Sequence, residues 1–373
     1  MACVPTAAHQ GLKTGVSPFL SLIGIVTQAP RRIRSQRKRD FIMPHPIRCL
    51  AVALIAVLVI ATPVTAATEV MKSDVREDCR YRTDGYAVSK SQTSWNAFPD
   101  DDVFRPLLAD PKQPQVFFRY QYVNLRDVGV KLNTANVAVG EYFGLIGRRQ
   151  EKDCDGWQLG ITGAVFAQFD LDANSYDLIN ADYNIGLPLS YRRGPLSFRI
   201  RPYHQSSHIG DEFLLDHPGF TRLNFSYEEV EALVSLEIPL RSKLVQEIRL
   251  YGGGAYMFDR QPRIHRARDQ WGIEIRGGSS PNMFLTQVTQ KKTKDEQVEH
   301  VRGLPFIGVD VKNFEQHRWN FETSVIAGME FYRPSTHRRL RLYLTYYHGY
   351  NPYGQFFISE KIESFGAGLS LAF

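Results

Sequence analysis

The chain has 373 residues, with 45 Lys/Arg against 39 Asp/Glu and a formal charge of +6. Its mean hydropathy is −0.29, and beyond the leader no stretch approaches the roughly eighteen apolar residues of a membrane helix, so helical spans are excluded. The charge is uneven: residues 1–66 hold eight Lys/Arg and one Asp, so the remainder is close to neutral and a nucleic-acid partner is not implied.

In chain order, residues 1–42 carry a basic cluster from Arg31 to Arg39. It reads as a basic patch or extended n-region, or as a leader upstream of a true start at Met43; a following signal peptide favours the second. Residues 43–66 read as a cleaved signal: Arg48, then the apolar run Leu50 to Ile60, then Val64-Thr65-Ala66. Cys49 precedes that run and is not placed as a lipoprotein cysteine. Residues 67–114 are polar and irregular, and read as a periplasmic segment that plugs the next domain, packs on it or links to it. Cys79 and Cys154 remain after cleavage, and an oxidising periplasm permits a disulfide between them. No Cys/His spacing suggests a structural zinc site.

Residues 115–373 read as a succession of strands. The first, 115–124, puts Val116, Phe118, Tyr120 and Tyr122 on one side; 136–147 is weaker. In 157–170, Trp157, Leu159, Ile161, Val165 and Phe169 alternate with Gln158, Gly160, Thr162 and Gln168, with Phe166 on the polar parity. In 181–192, Tyr183, Ile185, Leu187, Leu189 and Tyr191 alternate with Asp182, Asn184, Gly186, Ser190 and Arg192. A two-residue Arg193-Gly194 turn then leads to 196–208, pairing Tyr191 with Leu196 and Leu189 with Phe198. Pro188 and Pro202 each delete a ladder hydrogen bond, so a bulge is expected near Pro202.

Later strands are 222–236, 246–258, 301–311, 319–332, 339–349 and a last one to Phe373, which alternates Phe365, Ala367, Leu369, Leu371 and Phe373 with small or polar residues. Directions agree only if one more strand lies in 259–300, with 271–276 and 283–289 as candidates. The count is then twelve, and ten is the runner-up. Tyr256, Phe258, Trp319, Phe321, Phe331, Tyr346, Tyr347 and Tyr350 lie near strand ends, as aromatic girdles do. The fold class is all-β: a closed antiparallel transmembrane β-barrel. Short turns at 193–195 and 333–338 are then periplasmic, and the long loops extracellular. Asp182, Arg192, Arg199 and Arg201 point inward, either as an anion-selective lining or, preferred for a narrow lumen, as a salt-bridge network. Asp259 to Asp269 read as a solvated loop, and Gly252-Gly253-Gly254 as close strand packing rather than a phosphate loop.

An alternating last strand that ends on Phe373 resembles the C-terminal signal of Gram-negative outer-membrane barrels, which implies the barrel-assembly machinery as a partner and outer-membrane lipid as surroundings. Four stretches, Phe104–Pro111, Tyr203–Phe213, Arg222–Glu228 and His348–Gln355, resemble an uncharacterised bacterial family known only as domain of unknown function 1207. That resemblance implies fold and export and brings no activity with it.

The most chemically loaded stretch is His204 to Glu212. His204, Ser206 and His208 continue the lipid-facing parity of Leu196, Phe198 and Ile200, where polar groups are costly. An imidazole beside a hydroxyl can take its proton as it attacks an ester. This His-x-Ser resembles the outer-membrane phospholipase A and lipid A deacylase barrels. The resemblance implies His204 as base, Ser206 as nucleophile and an Asn or Glu on the next strand as orienter. Asn224 and Glu228 are available, both on the inward parity, so the third member stays unassigned. Asp211 and Glu212 could hold a calcium ion at the rim; no other cofactor is expected. The motif can equally tie down the 209–221 loop. Three functions stay open: a structural or ligand-binding barrel, a lipid esterase, and a narrow diffusion pore.

Overall fold

The computed structural model describes residues 94–99, 102–149, 155–240, 242, 244–278, 302–332 and 339–372. The expected leader and signal (1–66), Cys79, Cys154, residues 283–289, the expected turn at 333–338 and Phe373 lie outside the described residues. The strands are β1 (Ser94–Ala97), β2 (Val116–Leu125), β3 (Val130–Arg149), β4 (Gly156–Asp170), β5 (Leu178–Gly186), β6 (Leu189–Arg193), β7 (Leu196–Ile209), β8 (Phe225–Pro239), β9 (Val245–Gln261), β10 (Ala267–Gly277), β11 (Arg302–Phe314), β12 (Phe321–Tyr332), β13 (Arg339–Tyr350) and β14 (Lys361–Ala372). A short helix, α1 (Asp211–Asp216), follows β7.

From β2 onward consecutive strands pair antiparallel, apart from β5 and β6, and β14 pairs with β2 from Ile362↔Leu125 to Leu371↔Val116, which closes the cylinder. β5 and β6 are two pieces of one strand between β4 and β7, and β1 only extends the edge of β3, so the barrel has twelve strands. The strand sought in 259–300 is β10, which contains Trp271 to Arg276. Closure depends on small residues at the seam. A Cβ at Gly366 would sit 1.9 Å from the Tyr120 carbonyl oxygen, so the backbone of β14 can approach β2 only with glycine there.

The outer wall is apolar, as alternation requires. Phe118, Tyr120, Ile185, Leu189, Phe198, Ile200, Leu342, Leu344 and Phe365 are all exposed on it. Several expectations need correction. The turn after β6 is Gly194-Pro195, because Arg193 pairs with Leu196 and Tyr191 with Phe198; Gly194 takes the left-handed conformation there (φ 58°). No bulge forms at Pro202: the register to β8 is unbroken from Leu196 to Ser207. The cost falls on the facing strand instead, where Leu187-Pro188 interrupts the ladder between β5 and β6 without shifting register. Tyr347 is buried and points inward, where its hydroxyl donates to the Tyr350 carbonyl, so it is no girdle residue. Arg268 belongs to β10 and is buried in the lumen, not in a solvated loop.

The lumen is filled. Residues 102–114 run inside it, with Phe104 and Leu107 packed on Leu233 and Tyr251, and Leu108 and Ala109 on Phe306, Ile326 and Tyr343. Phe166, the exception to alternation on β4, meets Phe117 at 6.3 Å between centroids and lies under the Lys112 ammonium at 4.8 Å. Ion pairs anchor the segment: Arg105 to Glu237 and Glu247, Asp110 to Lys312 (2.6 Å), and Lys112 to Asp182 (2.6 Å). Around it the wall residues pair among themselves, Glu231 with Arg199, Arg201 and Arg268, and Glu330 with Arg276, Arg339 and Arg341. The inward-facing charges therefore form the expected salt-bridge network. From the other end, residues 351–360 fold in as a cap. The Gly354 N–H donates to Asp182, and the Gln355 amide donates to the Ser207 and Leu223 carbonyls.

Two outcomes follow. Glu237 is fully buried and meets both Arg105 and Arg192. Removing a buried carboxylate strands its partners, so Glu237→Gln is expected to cost about 3 kcal/mol, read as a lower urea midpoint for the protein folded in lipid. The cap ends at half-buried Glu360, whose carboxyl accepts from the Asn351 amide at 2.6 Å. Burial, opposed by that hydrogen bond and reinforced by the Asp127 charge, pushes this carboxyl up to about 7. An acid with a raised pKa binds its proton more tightly when folded. Its contribution is therefore full below the ordinary value of 4.5 and lost as pH rises through 7. Hydrogen exchange over 351–360, corrected for intrinsic rate, should show protection falling between about pH 5 and about pH 8, and Glu360→Gln should flatten that change.

Candidate functional site

β7 carries the candidate residues because it alternates through its whole length. Ser197, Arg199, Arg201, Tyr203, Gln205 and Ser207 point into the lumen, and Phe198, Ile200, His204, Ser206 and His208 point out. The last three sit at the loop end, away from the Gly194-Pro195 turn. Cross-strand register sets their company. On the β5 side, Ile185 faces His204, Tyr183 faces Ser206 and Ala181 faces His208. On the β8 side, Glu228 faces His204 and Ser226 faces Ser206.

Glu228 is therefore on the outer wall, against the inward parity expected from sequence. In β8 the residues Tyr227, Glu229, Glu231, Leu233, Ser235 and Glu237 are the buried inward set. Leu233 made this hard to read, because it is apolar and inward, packed on Phe104 and Leu107 of the lumenal segment. With polar residues at 226 and 228 and an apolar residue inside, both faces of β8 carry mixed signals.

The consequence is a contact: His204 Nδ1 and Glu228 Oε1 are 2.9 Å apart. Their side chains are 42% and 38% exposed, so the pair lies on the wall surface rather than under it. An exposed pair contributes at most about 1 kcal/mol in water, which gives little structural reason to place two ionisable groups beside an apolar wall. Ser206 is two residues further along the same face, about 7 Å along the strand. Tyr183 packs edge-on against His208 with centroids 5.6 Å apart, which walls one side of the Ser206 position. On the other side β9 continues the row: Asp259 faces Glu228 and Gln261 faces Ser226. Sequence reasoning missed Asp259 by assigning it to a loop; its register at the end of β9 is set by the bulge between Glu228 and Glu229.

The remaining candidates fall elsewhere. Asn224 precedes β8, is exposed, and donates from its amide to Gln261 Oε1 at 2.7 Å. Asp211 and Glu212 form the first turn of α1, both exposed. Among the described residues no group of three or more His, Cys, Asp and Glu side chains could hold a metal ion. His204 takes Glu228 as its carboxylate partner, not Asp211 or Glu212.

Behind this wall the four family-like stretches meet. Phe104–Pro111 is the lumenal segment, and Gln355 of the cap joins Ser207 of β7 to Leu223 just before β8. The site is thus built on strands held rigid from inside.

No curated protein matches the chain. Among solved structures it is similar to outer membrane phospholipase A from Escherichia coli, with 12% identity over 72% of this chain and 93% of that one and a TM-score of 0.42. It is also similar to the β domain of the Bordetella autotransporter BrkA (12% identity, 70% and 98% covered, TM-score 0.35). A third is the translocator domain of the autotransporter NalP from Neisseria meningitidis (11%, 84% and 100%, TM-score 0.34). The fold is a closed twelve-stranded antiparallel β-barrel with an apolar outer wall. The family described as "Protein of unknown function (DUF1207)" matches residues 59–373, and the chain belongs to that family.

Proposed function

We propose that this protein is an outer-membrane lipid acyl hydrolase that works on its outer wall, with Ser206 as nucleophile, His204 as general base and Glu228 as the residue that orients it. The observation that carries the reading is the 2.9 Å contact between His204 Nδ1 and Glu228 on the lipid-facing side. That contact fixes the imidazole so that Nδ1 holds a proton and Nε2 is free to accept one. As the Ser206 hydroxyl attacks an acyl carbonyl, its proton passes to His204, and Glu228 stabilises the imidazolium that results. His204 then returns the proton to the departing lipid alkoxide. Water, deprotonated by the same imidazole, releases the fatty acid and restores Ser206. Half-exposed side chains on a wall bathed in acyl chains need no substrate tunnel.

A pore is a weaker reading, because the lumen is crossed by residues 102–114 and capped by residues 351–360. In the hydrolase reading the turn end faces the periplasm and the site lies in the outer leaflet.

Ser206→Ala is expected to lower fatty-acid release from phospholipid or lipopolysaccharide vesicles by at least about a thousandfold. Glu228→Gln should lower it by an intermediate factor, about a hundredfold, with little change in KM, as loss of an orienting group does. A fluorophosphonate should label wild-type protein and leave Ser206→Ala unlabelled. Unlabelled wild-type protein without acyl release would reject the hydrolase.

A further inference from the structure

One strand beyond Asp259 the outer wall carries an arginine with an unusual set of partners. Arg266 ends the five-residue connection from β9 to β10. Its guanidinium reaches back over β9: Nη1 donates to the Tyr256 phenol oxygen at 3.2 Å and to the Phe258 carbonyl at 3.4 Å. The guanidinium carbon lies 5.5 Å from the centroid of the Tyr256 ring. Tyr256 and Phe258 are both half-exposed members of the apolar wall. The nearby carboxylate of Glu315 is engaged by the backbone N–H groups of Arg266 and Ala267, 3.2 Å each, and by His265 Nδ1 at 3.4 Å. No carboxylate among the described residues pairs with the Arg266 guanidinium.

The guanidinium is therefore held in place by neutral oxygens at the edge of the apolar wall, with its remaining N–H groups uncommitted. A cation there is stabilised by an anion at headgroup depth. A planar fork of N–H donors matches phosphate oxygens. Because it lies over β9, it is two strand spacings from β7, on the order of 10 Å, and in register with Tyr203 and His204, two to three residues short of Ser206. That is within the reach of a single lipid from its headgroup to its acyl esters.

We propose that Arg266 binds the phosphate of a membrane lipid headgroup. Resting on the hydrolase reading above, this contact lays the acyl ester of a phosphate-bearing lipid over Ser206. The substrate class is then an anionic phospholipid or phosphorylated glycolipid, not a neutral acylglycerol.

The test uses the full protein folded in neutral detergent micelles, with native mass spectrometry counting retained phosphatidylglycerol and diacylglycerol. Ser206→Ala should retain phosphatidylglycerol at least as well as wild type, which can cleave it. Arg266→Gln should retain it about tenfold less, with Arg266→Lys in between because it keeps charge but loses the fork. Diacylglycerol retention should not differ among the four, and heat-modifiable migration on gels should show all four folded. Equal phosphatidylglycerol retention by Arg266→Gln overturns the proposal. So does inorganic phosphate that binds wild type as well as the lipid does, since the site would then serve a free ion. Lost retention in Arg266→Gln with no acyl release by any variant removes the hydrolase and leaves the headgroup site standing. Normal retention and normal release in Arg266→Gln removes the headgroup site and leaves the hydrolase.

Discussion

Backbone hydrogen bonding without water is the constraint on which the molecule depends. In a bilayer every N–H and C=O of a strand needs a partner strand, and a sheet meets that demand only by closing. Here the closing ladder joins β14 to β2 over ten residue pairs, from Ile362↔Leu125 to Leu371↔Val116. Closure fixes inside and outside for every other strand, so the chemistry of each residue follows from its parity. The same geometry explains the glycine at the seam, where the Tyr120 carbonyl leaves no room for a side chain.

Closure also creates an interior that must be filled. Wide barrels fill theirs with water; this one uses its own chain. Phe104, Leu107 and Leu108 supply apolar contacts, and the wall charges they do not cover are neutralised in place by Glu229, Glu231, Glu237 and Glu330. Breaking any one of these ties leaves a buried charge, so the segment and the wall stabilise each other. The consequence for the candidate site lies on the other side of the wall. A barrel braced from within can hold His204 and Glu228 at a fixed separation on strands, without loops to position them.

The alternation of β4, β5, β7 and β14 was legible because most of their outward residues are apolar and most of their inward ones small or polar, with Phe166 of β4 and the His204–His208 end of β7 as the exceptions. The outward placement of His204 and Ser206 followed from that pattern alone. β8 was not legible in the same way. Its inward face includes Leu233, which packs with Phe104 and Leu107 from more than a hundred positions away, and no local pattern reports that contact. The resulting parity error hid Glu228, whose carboxylate meets His204 on the outer wall. The shifted turn at Gly194-Pro195 has a different cause: either two-residue turn preserves parity, and only the pairing with β8 and β4 selects between them. Arg268 was read as loop because its neighbours are charged, whereas its partners, Glu229 and Glu231, lie across the lumen wall on β8.

The outer wall, the lumenal segment and the candidate site all stand or fall with the seam. The direct measurement is a cross-link between Tyr120→Cys on β2 and Ala367→Cys on β14, which face each other on the outer surface, in protein whose native cysteines are replaced by serine. The account predicts that oxidation joins these two positions in the folded, membrane-inserted protein and not in the unfolded chain. No link in folded protein, or a link that forms only when the β14 cysteine is moved to Leu369, would contradict the closed register from which every other assignment follows.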